Sequence, residues 1–202
     1  MIDTIIFDCG DVFLRGILGA EKRLAPVFGV KPSFVVNGVL GGKKKRMLFE
    51  GKISERGFWE KTIKQRHCKA TVSFLKKTIR QNFKPIPGVK KIVLELRQHY
   101  KLCMLSDNCR EWAAFCEKKY RLGRIFHVRQ YSFQNGFRKI HPAAYKQILR
   151  KTKSKPENTL FIDDLQKNLR AARKLDIKTI EFHTAEILRK QLKKFGIKIR
   201  QK

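Results

Sequence analysis

Ile5-Ile6-Phe7-Asp8-Cys9-Gly10-Asp11 is an apolar run that stops on acid. Phe161-Ile162-Asp163-Asp164 does the same near the other end of the chain. Acids are scarce, 17 Asp and Glu against 47 Lys and Arg in 202 residues, so both placements carry information. A short apolar run bounded by turn residues reads as a buried strand. Carboxylates at the end of such a strand lose hydration and repel one another, so each takes up a proton or a nearby cation. Two carboxylate clusters, each at the C-terminal end of a strand, make a site for a hard divalent cation such as Mg²⁺, which prefers oxygen ligands.

Outward from these two stretches the chain alternates. Strands are expected at 2–7, 101–105, 159–162 and 178–182, and an apolar run at 125–128 stands in a strand position. Helices are expected at 89–99, 110–120, 142–151, 166–175 and 184–195. Strand–helix alternation with short buried strands argues for an α/β fold, a parallel sheet covered on both faces. Ligands of such sheets bind beyond the carboxyl ends of the strands. Between the first strand and the rest the pattern is helical throughout, with expected helices at 20–28, 32–40, 44–49, 54–67 and 71–82. Ser54 reads as an N-cap, and Gly29, Gly42 and Gly51 read as stops. Pro85-Ile86-Pro87-Gly88 punctuates the return. The expected division is a Rossmann-like core of 1–16 and 84–202 with an all-helical cap of 17–83.

Hydrophobic residues make up 42%, which excludes a disordered basic tail. No run of 18 apolar residues offers a membrane span, and the N-terminus lacks the basic region of a secretory signal. The five cysteines form no C-x-x-C pair, which fits reduced thiols and a cytoplasmic location. The five histidines show no metal-binding spacing. The aromatic residues of the insert, Phe28, Phe34, Phe49, Phe58 and Trp59, read as helix-bundle core. The net charge of +30 is the footprint of a nucleic-acid binder. No RNA-binding aromatic signature accompanies it, so a nucleic-acid partner is a second candidate and is not favoured. The densest basic runs are Lys43-Lys44-Lys45-Arg46 and 189–202.

Four short motifs carry the chemistry. They are Asp8-Cys9-Gly10-Asp11-Val12, then Leu105-Ser106-Asp107-Asn108, then Gly136-Phe137-Arg138-Lys139 before Pro142, and Asp163-Asp164 before Asn168. In that order and strand–loop context the chain resembles the haloacid dehalogenase-like (HAD) superfamily, its phosphatase branch with a small helical cap. The resemblance covers essentially the whole chain. It implies an aspartyl-phosphate chemistry with Asp8 as nucleophile. It implies Mg²⁺ held by the Asp8 carboxylate, the Gly10 carbonyl and the Asp164 carboxylate, with Asp163 beside it. It implies Ser106 on a phosphoryl oxygen, Asn108 near the same group, and Lys139 steadying the charges of Asp8 and the phosphate. A small phosphorylated substrate, a sugar phosphate among the candidates, follows from the cap.

The chain departs from the family in two places. Most family phosphatases have a second Asp two residues after the nucleophile, which protonates the leaving oxygen; here it is Gly10. Asp11, one residue on and beside the substrate, is a candidate substitute, provided that it points the right way. Ile140 follows Lys139 where the family has Pro. The branch that removes halide has an aromatic residue at the Gly10 position, which argues against dehalogenation. The loss of an acid keeps a rival open, a binding protein on this fold with weak or no turnover.

Overall fold

The computed structural model describes residues 1–199, so the end of the second basic run, 200–202, lies outside the described residues. Five strands form one all-parallel sheet: β1 Thr4–Phe7, β2 Lys101–Ser106, β3 Val128–Tyr131, β4 Thr159–Asp163 and β5 Lys178–Glu181. Their order is β3-β2-β1-β4-β5. The chain builds outward from β1 on one side, then returns to place β4 on its other side, so β1 lies at the switch in strand order. Among the described residues ten α-helices accompany the sheet.

Alternate residues of each central strand serve different faces, because side chains alternate along a strand. Ile5, Phe7, Leu102, Met104, Leu160 and Ile162 join one apolar cluster. Ile6, Cys103, Leu105 and Phe161 join a second. The second face is covered by α8 Pro142–Thr152 and α9 Gln166–Arg173. The first is covered by α6 Val89–Leu96, α7 Arg110–Tyr120 and α10 Ala185–Lys194. With both faces buried, the central strands read as continuous apolar runs.

The first cluster continues without a break into the helical insert, through Leu24, Val35, Leu48, Phe58, Trp59 and Ile79. The insert comprises α1 Glu21–Phe28, α2 Pro32–Phe34, α3 Gly42–Phe49, α4 Glu55–Arg66 and α5 Val72–Arg80. Outgoing and returning chain run side by side, with Arg15 N–H on the Lys84 carbonyl at 2.8 Å and Ile86 N–H on the Phe13 carbonyl at 3.1 Å. Ser54 caps α4 as expected, its Oγ accepting from Gly57 N–H at 3.1 Å.

Four expectations need correction. The run at 125–128 is not a strand: a 3₁₀ turn at Leu122–Arg124 comes first, and β3 starts only at Val128. Ile125 and Phe126 are buried as packing before the strand, and β3, on the sheet edge, needs no apolar run of its own. The helix expected at 32–40 is one α turn followed by a π-helical segment, Val35–Val39. A Cβ at Gly38 would lie 2.3 Å from the Phe34 ring, so the segment needs glycine there. Gly42 opens α3 with φ +73° and stops nothing. Phe34 is 48% exposed, with the Arg66 guanidinium 5.2 Å from its ring centroid, and is not core.

Candidate active site

Strand pairing assembles the site. Phe7 lies in register with Met104 on one side and Ile162 on the other. Asp8, one residue beyond Phe7, therefore emerges beside Asp163, and Ser106 ends the neighbouring strand. The Asp8 N–H donates to the Ile162 carbonyl at 2.9 Å, which extends the β1–β4 ladder to the acid itself. Asp8, Asp163 and Asp164 each offer a carboxylate oxygen, all within 4.8 Å of one another.

The cation arrives from the loop between β3 and α8. Lys139, buried like the acids, places Nζ 2.5 Å from Asp8 Oδ2 and 2.6 Å from Asp163 Oδ2. Its loop is held by Asp107, which accepts from Lys139 N–H at 2.8 Å and from Arg138 Nε at 3.2 Å. Asp163 is braced from three directions. Leu165 N–H donates to its Oδ1 at 2.8 Å, and the Asn168 amide donates to both oxygens, at 2.9 and 3.1 Å. Asn168 is fixed in turn by the Tyr145 hydroxyl, which donates to its carbonyl at 2.9 Å. On Asp8, the Cys9 N–H donates to Oδ1 at 2.6 Å.

Three carboxylates against one ammonium leave two negative charges in a mostly buried site. Burial first, and that surplus second, sets the titration shifts of the acids. Burial pushes the Asp8 carboxyl well above its usual range; Lys139 opposes the shift, while Asp163 and Asp164 add to it. Burial, then the Asp163 charge, pushes Asp164 up to about 6. Burial alone would lower Lys139, but Asp163, Asp8 and Asp107 outweigh it and hold the ammonium charged well past its ordinary range. A divalent cation would cancel the surplus, and oxygen donors are what Mg²⁺ takes. No hydrogen bond among the described residues uses the Gly10 carbonyl, so it too is available to a metal. The donor set fits the ion.

Ser106, Asn108, Asp11 and Gly10 line the same cavity as Asp8, Lys139 and Asp164, of about 360 Å³. Asn108 uses its Oδ1 to accept from Cys109 N–H at 2.9 Å. Asp11 is less free than its position suggests. Its backbone is left-handed, φ +60°, and its Oδ1 accepts from Gly16 N–H at 2.9 Å. Burial raises its pKa, with the Gly16 hydrogen bond opposing. Two residues that hold the site were given no role from sequence, Asp107 and Asn168. The available signal was an acid in an acid-poor chain, directly after the polar end of a strand.

Sequence and structure comparisons point the same way. The family model described as haloacid dehalogenase-like hydrolase matches residues 43–182, a span that omits β1 but includes Ser106, Lys139, Asp163 and Asp164. Among curated proteins none matches. A predicted HAD-like family hydrolase from Porphyromonas gingivalis superposes with a TM-score of 0.81 at 21% identity, over 98% of this chain and 100% of that one. An HAD family enzyme from Bacteroides thetaiotaomicron, in complex with magnesium and inorganic phosphate, gives 0.72 at 19% identity, over 91% and 96%. L-2-haloacid dehalogenase from Xanthobacter autotrophicus, with chloropropionic acid covalently bound, gives 0.68 at 15% identity, over 98% and 85%. At these identities the superpositions speak for the fold, and the family match, which covers well over half of the chain, speaks for descent. With the parallel sheet and the acids at its central strand ends, that match makes the chain a member of the haloacid dehalogenase-like hydrolase family.

Proposed function

We propose that this chain is a Mg²⁺-dependent phosphatase that hydrolyses a small phosphorylated metabolite through an aspartyl-phosphate on Asp8. The observation that carries the reading is the surplus of Asp8, Asp163 and Asp164 over Lys139. It lies against a cavity of about 360 Å³, within the size of small-molecule pockets and too small for a folded partner.

An Asp8 carboxylate oxygen attacks phosphorus; the new O–P bond forms as the ester O–P bond breaks, and the alcohol oxygen departs and takes a proton from solvent water. Water then attacks the same phosphorus, releasing inorganic phosphate and restoring the carboxylate. Lys139 favours the ionised form of Asp8 against its burial and orients the carboxylate between the two steps. Ser106 donates its hydroxyl to a phosphoryl oxygen, and the Asn108 amide serves the same group. Mg²⁺, held by Asp8, the Gly10 carbonyl and Asp164 with Asp163 alongside, would supply charge neutralisation at the phosphoryl oxygens. Halide removal is disfavoured by Gly10, which stands where the dehalogenating branch has an aromatic residue. All five cysteines are free, in keeping with a reducing cytoplasm.

Hydrolysis of phenyl phosphate with and without EDTA tests the reading, together with Asp8→Asn. EDTA should abolish turnover and added Mg²⁺ restore it, and Asp8→Asn should fold normally while losing at least about 10³-fold in kcat. Full activity in the metal-free protein, or in Asp8→Asn, would overturn it.

A further inference from the structure

Lys45 lies on α3, in the insert, yet it lines the same cavity as Asp8 and Asp164 at the ends of the sheet. It is half-buried, its ammonium 5.7 Å from the Phe49 ring centroid. Its strongest charge neighbours are Arg138 and Lys167, then Asp107 and Asp11. Those of Asp8 are instead Lys139, Asp163 and Asp164. The cavity thus has two electrostatic groups: an inner one around Asp8 and an outer one around Lys45.

The outer group is short of negative charge. Among the described residues neither Lys45 nor Lys167 has a carboxylate within ion-pair distance. Arg138 spends its Nε on Asp107 at 3.2 Å, and no hydrogen bond among the described residues takes its two terminal nitrogens. Three like charges from three separate elements converge on one half-enclosed space, which costs free energy until an anion enters. A basic composition explains many lysines in solvent, but not an ammonium drawn in against an arginine and a second lysine. The same cavity is also lined by Val36, Phe49 and Trp112, apolar surface available to a carbon skeleton.

We infer that Lys45, Arg138 and Lys167 form a second anion site, so the molecule this cavity takes is a small phosphate monoester bearing a further anionic group, a phosphate or a carboxylate. The inference rests on the phosphatase reading for the identity of the first group, and the second site stands on its own geometry. Arg138 is the geometric anchor, since its planar fork suits either anion in bidentate fashion. Lys45 closes the site from the insert, and through it the insert contributes to specificity.

Non-hydrolysable probes test this without turnover. Benzylphosphonate, 4-carboxybenzylphosphonate and p-xylylene bisphosphonate are titrated calorimetrically into the full chain with Mg²⁺ present. One or both of the probes with two anionic groups should bind at least about tenfold tighter than benzylphosphonate, and the advantage should shrink as salt rises. The tighter of the two names the second anion. Lys45→Gln and Lys167→Gln should each reduce the advantage to about threefold or less. Lys45→Met, which keeps the aliphatic stem over Phe49, should do the same if the glutamine variant folds poorly. Equal affinity for all three probes, no binding by any, or an undiminished advantage in the variants would overturn the inference. Failure of the phosphatase reading looks different: phenyl phosphate and 4-carboxyphenyl phosphate would both survive with Mg²⁺ while the binding preference remained.

Discussion

Gly10 does not owe its identity to lack of space. A Cβ built there would meet nothing nearer than the Gly16 Cα at 3.9 Å, and its backbone is not left-handed. Asp11, the other candidate for acid–base work, is folded back onto the Gly16 N–H with a strained φ of +60°. A well-placed general acid contributes ~10²–10⁴-fold, most for substrates whose leaving oxygen is strongly basic. We therefore expect Gly10→Asp to raise kcat/KM on alkyl phosphates by at least about tenfold, with less effect on aryl phosphates. Asp11→Asn should leave the dependence on leaving-group pKa as it is in the unaltered protein. A leaving-group series measured on all three proteins checks both; a slope that Gly10→Asp fails to flatten in a folded protein counts against the idea. The acids were legible from sequence because each follows an apolar run and acids are rare. Asp107 was not, since Ser106-Asp107-Asn108 reads as three interchangeable helix caps, and its partners Arg138 and Lys139 come from a distant loop.

Among the elements, α4 ties the insert to the core by one buried acid. Glu55 is fully buried at the start of α4. Its Oε1 accepts from the indole N–H of Trp59 at 3.3 Å and from that of Trp112, on α7, at 2.8 Å; its Oε2 meets Arg80 of α5 at 2.5 Å. Its own N–H donates to Glu111 Oε1 at 3.1 Å. Trp112 also lines the cavity, so the same acid fixes the pocket wall. Removing one partner of a buried charged pair typically costs about 3–5 kcal/mol. Glu55→Ala should lose about that much in chemical denaturation, with both tryptophans shifted in fluorescence; a loss below about 1 kcal/mol would show that the link carries little. Nothing in the local pattern gives Glu55 away, because an acid in the first turn of a helix is ordinary on dipole grounds alone. The central strands were readable for the opposite reason, as both their faces are buried and the residues between their ends are apolar. β3, Val-Arg-Gln-Tyr on the edge, carries no such signal, and the π-helical segment depends on the Phe34–Gly38 contact, which periodicity does not encode.

Across the whole molecule, a chain of +30 net charge gathers a local excess of negative charge at the end of its sheet. Among the described residues no helix is long and apolar enough to cross a membrane. The core instead runs from the sheet through the insert, so strain at the site is shared with the rest of the fold. The raised carboxyls give that strain a sign. Asp164 titrates at about 6, above the ~3.9 of an unfolded Asp, and Asp8 is raised as well. A raised carboxyl favours the fold below its unfolded pKa, and that contribution is lost as pH climbs through the folded value. The metal-free protein should therefore lose stability between about pH 4 and pH 6 on account of Asp164, with Asp8 acting in the same direction. Mg²⁺ works against the same charge, and below pH 6 it must first displace protons from its own ligands. At a concentration of 100 times its dissociation constant a ligand stabilises by about 2.7 kcal/mol, which for a chain of this size is a rise of roughly 5–10 °C in Tm. We expect a shift of that order from saturating Mg²⁺ at pH 7 and a clearly smaller one from the same concentration at pH 5. Asp164→Asn should show neither the full shift nor the full pH dependence, since Asp8 still titrates. Thermal denaturation at the two pH values, with and without Mg²⁺, decides it: shifts equal at both pH values, or retained in full by Asp164→Asn, would mean that the surplus charge at the strand ends is not what binds the cation.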